Sequence, residues 1–263
     1  MKSPRVYLSV AALTVCLFGM FGPLANAHDI VLVPDADRIT VRYGHPGDWL
    51  PIDQEKLLDV NIHSAAGAPA DLSAQLKRQG LTLTLRQNQR VPALLSARYD
   101  NGLWLKLPVA AGAKEHWRNA SRFMLGAGTE PLASVKFAKA LLWSATDTGV
   151  YKLPVGHLLE LVPQRNPATI RIGETLPVLV QFNGRPLPGA GVEVSDLVKV
   201  MPEDEIARYK TDANGIAQVP IPSRGLTVLA VDVQQPNDGS LGDAAKALPV
   251  DTFLLVATYA FRR

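Results

Sequence analysis

Five histidines, His28, His45, His63, His116 and His157, are the residues of this sequence best suited to specific chemistry. Imidazole suits nickel, copper, zinc and iron, and two or three such ligands with open positions are common for a transition metal. His28 stands out by what precedes it. Ala25-Asn26-Ala27 has the small-residue pattern of a secretory cleavage site. Cleavage after Ala27 would make His28 the first residue of the mature chain. Its α-amine and its Nδ1 would then close a chelate ring on one metal ion, a donor pair that few chains can present. The competing explanation is that histidine merely follows the cut. His45 lies in Gly44-His45-Pro46-Gly47, directly after the second β-prone run. If the first two runs pair as neighbouring strands, residues 28 and 45 meet at the same end of that hairpin; otherwise His45 is a solvated turn residue. His28 and His45 are therefore the expected metal ligands. His63 falls on the polar face of its segment, His116 beside Trp117 in a polar stretch, and His157 near the junction of the two halves, where it is a third ligand only if the junction folds toward the first half.

The rest of the composition narrows the chemistry. Lys2 and Arg5 lead into an apolar run from Val6 to Met20, then Phe21-Gly22-Pro23 and the cleavage motif, which is the order of a signal peptide. An uncleaved anchor would abolish the His28 amine. Removal of residues 1–27 leaves 236 residues with 25 basic and 24 acidic side chains, down from a formal charge of +3, so no basic patch points to nucleic acid. The single cysteine, Cys16, leaves with the signal, which excludes disulfides, thiol nucleophiles and cysteine-built zinc sites. There is no Gly-x-Ser-x-Gly elbow, phosphate-binding glycine loop, His-Glu-x-x-His or dinucleotide fingerprint. No motif supports an enzyme, and none is expected. Met201-Pro202-Glu203-Asp204-Glu205 reads as a solvated acidic loop, and Asp212-Ala213-Asn214-Gly215 as a hairpin turn lacking the remaining calcium-ligand positions.

The elements that must position these residues are strands. Asp29–Pro34 and Arg38–Tyr43 are short β-prone runs, and Leu58, Val60 and Ile62 share one face of a third. Leu81–Leu85 alternates strictly. Asp100-Asn101-Gly102, between two apolar runs, predicts a tight hairpin because Asn-Gly tolerates positive φ. Residues 110–130, polar and Gly-rich, are expected to form a long loop, and Val135–Ser144 returns to strand. After a linker at 146–154 come six further β segments separated by Asn183-Gly184, Pro188-Gly189 and Asn214-Gly215 turns. The pattern predicts an all-β protein of two β-sandwich-like domains, residues 28–150 and 151–263, following a signal peptide at 1–27.

Several stretches taken together resemble the DUF4198 family of bacterial exported proteins, which is grouped with the NikM-like periplasmic component of nickel and cobalt transport. In the first half these are Ala27-His28-Asp29, Tyr43-Gly44-His45, Tyr99–Trp104 and Phe137–Leu142. The second half adds Leu159–Pro163, Asn166-Pro167, Gly173–Val178, Gly184–Ala190 and Thr211–Gly215. The resemblance implies a two-part exported β protein with an Ig-like second half. It also implies a divalent transition metal, nickel or cobalt first and copper or zinc as alternatives, and a membrane metal transporter or TonB-dependent receptor as partner. The family often carries a histidine after the segment corresponding to Thr227–Val233. Here Gln234-Gln235 follows instead, so a metal site cannot draw a ligand from that position. The rival expectations are an Ig-like exported module that binds another protein without metal, and a copper enzyme using the terminal histidine oxidatively. Mass spectrometry of the secreted chain is expected to find His28 at its N-terminus; any other first residue removes the amine chelate and favours the interaction module.

Overall fold

β-branched and large apolar residues recur at alternate positions beyond residue 28, and in the computed structural model nearly all of these stretches are strands. The structure describes residues 28–65, 67–86, 91–107, 116–120, 131–142, 148–200, 205–221, 224–239, 241 and 243–263. Residues 1–27, most of the polar stretch at 110–130 and residues 201–204 of the acidic cluster lie outside the described residues. In chain order the first strands are β1 (Asp29–Pro34), β2 (Arg38–His45), β3 (Asp48–Leu50), β4 (Leu57–His63), β5 (Ala70–Asp71) and β6 (Lys77–Gln79). Then come β7 (Thr82–Arg86), β8 (Ala93–Leu107), β9 (His116–Ala120), β10 (Pro131–Leu142), β11 (Leu159–Pro163) and β12 (Thr175–Phe182). The last are β13 (Arg185–Pro186), β14 (Gly191–Ser195), β15 (Arg208–Lys210), β16 (Ile216–Pro220), β17 (Leu226–Pro236) and β18 (Thr252–Arg262). A single helical turn, Asp243–Lys246, precedes the last strand. Among the described residues no helix is long and apolar enough to cross a membrane.

The chain is all-β, as the alternation predicts, and its strands form three sheets in layers. A nine-stranded sheet runs in the order β15-β14-β17-β18-β10-β8-β4-β5, with β9 also on β8. A five-stranded sheet, β1-β2-β7-β6 with β3 on β2, covers one of its faces. A four-stranded sheet of β11, β12, β13 and β16 covers the other. The core under the four-stranded sheet holds Phe137, Leu161, Val178, Val219, Leu229 and Tyr259. The core under the five-stranded sheet holds Ile30, Leu32, Val41, Leu83, Leu95 and Tyr99. The central sheet therefore serves two sandwiches, and it draws strands from both halves of the chain.

Two local expectations are corrected. Asp100-Asn101-Gly102 does not turn the chain but lies within β8, a 15-residue strand. Opposite β10, Gly102 pairs with Ser134 and Asp100 with Val135, so Asn101 is the extra residue of a β-bulge. Asp100 Oδ1 accepts from Gly102 N–H at 2.9 Å, and Gly102 takes φ +82. The Asn-Gly pair supplies the positive φ a bulge can use as readily as a turn. Likewise Leu58 does not join Val60 and Ile62 on the buried face: the register shifts between Leu57 and Asp59, leaving Leu58 54% exposed.

One ion pair is sunk between the central and four-stranded sheets. Lys139 Nζ lies 3.0 Å from Glu160 Oε2, with side chains 2% and 4% exposed. Glu160 also accepts from the backbone N–H groups of Val155 and His157. Removing one partner of a buried pair strands the other charge, which typically costs about 3–5 kcal/mol, whereas replacing both by apolar residues is often neutral. Urea unfolding of Glu160→Ala is expected to show a loss of that size, and the double variant K139M/E160L a much smaller one.

Candidate functional site

The antiparallel register of β1 on β2 runs from Pro34↔Ile39 to Asp29↔Gly44. One more step sets His28 across from His45. Their rings stack with centroids 5.3 Å apart and planes 29° from parallel. The two histidines singled out in the sequence are thus side by side, both partly exposed, at the open end of the hairpin.

The turn after β2 brings a carboxylate to the same place. β2 pairs with β3 in the register His45↔Asp48, across Pro46-Gly47. Asp48 Oδ2 lies 2.9 Å from His28 Nε2. A carboxylate at that distance holds the proton on Nε2 and leaves the Nδ1 lone pair available. The turn requires glycine at position 44. Its φ is +123, and a Cβ there would stand 2.3 Å from the Asp48 carbonyl oxygen and 3.0 Å from Trp49 Cα. Any side chain at 44 would push β3, and Asp48 with it, off the hairpin.

Beneath the pair, Tyr43 faces His28 at 5.7 Å between centroids and packs on Tyr99 at 5.2 Å. Tyr43 Oη donates to Asn101 Oδ1 at 2.7 Å, and Asn101 Nδ2 donates to Ser134 Oγ at 3.3 Å. The bulge in β8 therefore has a role: it turns Asn101 inward to anchor the tyrosine under the histidines. Burial raises the titration of both phenols, that of Tyr99 to about 12, so both are neutral hydrogen-bonding groups.

Asp29 closes the other side, with its Oδ2 3.9 Å from His45 Nδ1. Burial pushes its carboxyl up to about 7; Lys136 opposes the rise, and Glu193 and Asp232 add to it. Lys136, on β10, is fully buried and its Nζ has no hydrogen-bond partner among the described residues. Burial pulls its ammonium down to about 8, against the attraction of Asp29 and Asp232. The site thus combines two imidazoles, two carboxylates and one buried amine. Among the described residues no group of three or more His, Cys, Asp or Glu side chains is arranged to hold a metal ion, so a bound ion would need a donor beyond these side chains.

The other histidines lie elsewhere. His63 Nε2 is 2.8 Å from Ser96 Oγ. Ser96 pairs with Lys139 and Tyr99 with Lys136, which puts His63 on the opposite face of the central sheet from Tyr99 and the His28 pair. His157 is buried against Phe137, with ring centroids 5.0 Å apart, and burial depresses its imidazole to about 3. It is a neutral core residue and does not fold toward His28. His116 opens β9, a strand within the stretch expected to be a loop, and its backbone pairs with Leu107 of β8, whose register draws it onto the sheet. Asp212 Oδ1 accepts from Asn214 and Ile216 N–H, closing a tight turn as expected, but β15 and β16 on either side belong to different sheets, so the turn crosses between layers and does not form a paired hairpin.

Asp48, Asp29, Tyr43 and Asn101 are the neighbours that residue type alone did not single out. A two-residue Pro-Gly connection implies the His45–Asp48 pairing, and so carried a signal for Asp48. Asn101 carried none, because its inward turn depends on a bulge against a strand 30 residues away.

Similarity to known proteins extends over most of the chain. An uncharacterised protein of Haemophilus influenzae is 26% identical over 229 residues, covering 86% of this chain and 88% of its own. A looser likeness, at 12% identity and a TM-score of 0.22, is to the D0–D1 domain of intimin, over 90% of this chain and 96% of that one. The model of the domain of unknown function DUF4198 matches residues 25–235, from just before His28 to the end of β17, and the chain belongs to that family.

Proposed function

We propose that the mature chain is a non-enzymatic periplasmic protein that captures a divalent transition metal, nickel or cobalt in first place, for uptake through a membrane transporter or receptor. The observation that carries this reading is the stacked His28–His45 pair with Asp48 on His28 Nε2. That hydrogen bond orients Nδ1 as the donor an amine–imidazole chelate needs, in the manner of the carboxylate–histidine–metal arrangements common at metal sites. Once residue 27 is removed, the His28 amine supplies the donor that the side chains lack. His45 supplies the second imidazole. The metal is cargo in this reading, and no reaction follows its capture.

The donors must be unprotonated. α-Amines titrate at about 8 and imidazoles at about 6.5, so capture strengthens as pH rises from about 6 to 8.5 and fades on acidification. Nickel titration of the mature protein should show that trend. A variant with one glycine before His28 should bind at least tenfold more weakly, since the extension moves the amine off the histidine; equal affinity would sink the chelate. His45→Gln should also weaken binding. Asp48→Asn, which keeps the shape and loses the charge, is expected to cost about 10–100-fold in affinity, the usual range for partners behind a metal ligand.

A further inference from the structure

A cleft of about 330 Å³ opens on the other side of the β1–β2 ribbon from Tyr43, since Arg42 and Tyr43 point to opposite faces of β2. Its lining is mixed; the apolar part is Val33 from β1, Leu226 from β17, and Leu197 and Val198 from the segment after β14. Its polar groups are three arginines, Arg42, Arg224 and Arg262, and two acids, Asp35 and Asp196. The acids are already engaged. Asp35 Oδ1 lies 2.7 Å from Arg262 Nη2. Asp196 Oδ1 accepts from the N–H groups of Lys199 at 3.0 Å and Val198 at 2.9 Å, and these hold its carboxyl below the usual carboxylate range. Arg42 and Arg224 have no carboxylate partner among the described residues. The Arg42 guanidinium lies over the Trp49 ring at 5.2 Å, and its buried Nε makes no hydrogen bond among the described residues. Leu197, in the cleft wall, holds φ +60, a backbone strain that persists only where its surroundings impose it.

We infer that this cleft binds a small organic carboxylate, its anionic end held by Arg42 and Arg224 and its carbon body against Val33, Leu197 and Leu226. A guanidinium presents a planar fork of donors that matches a carboxylate in two parallel hydrogen bonds. Trp49 holds one such fork in place before any ligand arrives. Burial lowers the titration of Arg263 and the Arg224 charge adds to it, so an anion at Arg224 also offsets a like-charge repulsion. The volume lies at the lower end of ligand sites, which limits the occupant to a small molecule. The four apolar side chains beside the arginines give a carboxylate with a carbon body a contact that a bare oxyanion lacks. The site is separate from the histidine pair, and its test does not involve metal.

Calorimetric titration of the mature protein at fixed ionic strength, with hexanoate, citrate and inorganic phosphate as probes, tests the assignment. Saturable binding of hexanoate or citrate, tighter than phosphate, is expected. It should weaken at least tenfold in Arg224→Gln, an exposed position where folding is not at stake, and in Arg42→Gln. Arg185→Gln, in the exposed β13, should bind as the parent does. Nickel binding by Arg42→Gln and Arg224→Gln should be unchanged. No saturable binding of either carboxylate, phosphate binding as tight as theirs, or unchanged affinity in both cleft variants would overturn the inference.

Discussion

The parallel pairing of β10 with β18 is the constraint on which the rest of the structure depends. It runs from Leu132↔Thr252 to Ala140↔Ala260. Two parallel neighbours cannot be joined by a hairpin and need a crossover. Here the crossover is residues 143–251, so the whole outer sheet of β11, β12, β13 and β16 belongs to one connection between adjacent strands. The same pairing draws β14 and β17 into the sheet that already holds β4 and β8. β18 consequently buries both faces: Phe253, Leu255, Tyr259 and Phe261 toward one core, Ala260 toward the other. Its nearly unbroken apolar sequence, Phe253 to Ala257, is what a strand covered on both sides requires.

β18 also decides where the candidate metal ligands stand. β1 is the edge of the five-stranded sheet, and an edge leaves backbone groups without a partner strand. Two of these are met by side chains of β18. Thr258 Oγ1 donates to the Ile30 carbonyl at 2.7 Å, and Arg262 Nε donates to the Pro34 carbonyl while its Nη2 reaches Asp35. These contacts join residues more than 220 apart in sequence and fix β1 along its length. The start of β1 is then set, and with it the separation of His28 from His45. Chain termini are ordinarily the least ordered parts of a fold; under the proposed cleavage after Ala27 the mature chain would open directly into a strand fastened by the last strand of the fold.

Much of this was legible in the sequence, and what was not shares one cause. Alternation located β2 and β7, β-prone runs between turn residues located β11, β12, β14, β16, β17 and β18, and the Asn183-Gly184 turn takes the positive φ values, 49 and 72, that its residues suggest. The proximity of His28 to His45 followed from counting residues around one hairpin. The misreadings came where a distant strand decided a local conformation. Asn101 bulges because β10 sets the register of β8, and Leu58 faces outward because β8 shifts against β4. The sharing of one sheet by both halves could not be read from segment patterns, since each strand's sequence reports which faces are buried and not which strand lies beside it. The carboxylates around the histidines were missed for the same reason in part: Asp48 follows from a local turn, but Asp29 matters through Lys136 on β10.

Lys136 and Lys139 show how burial alone fails to distinguish structural from functional charge. They lie three residues apart on β10 and so point to opposite faces of the central sheet. Both are fully or almost fully buried, and burial depresses both ammonium groups. Lys139 meets Glu160 at 3.0 Å, with Tyr259 beneath it at 5.7 Å, and Glu160 is in turn held by backbone N–H groups. That face is closed and its charges are matched. Lys136 has only the longer-range attraction of Asp29 and Asp232, and its Nζ makes no hydrogen bond among the described residues. A buried amine held this way is costly, and the cost falls in the layer that carries His28, His45 and Asp48. Stability would be served by an apolar residue at 136, as it is at Ala138 and Ala140 on the same face. The amine is better explained by the electrostatics it imposes on Asp29, beside the histidine pair, than by packing.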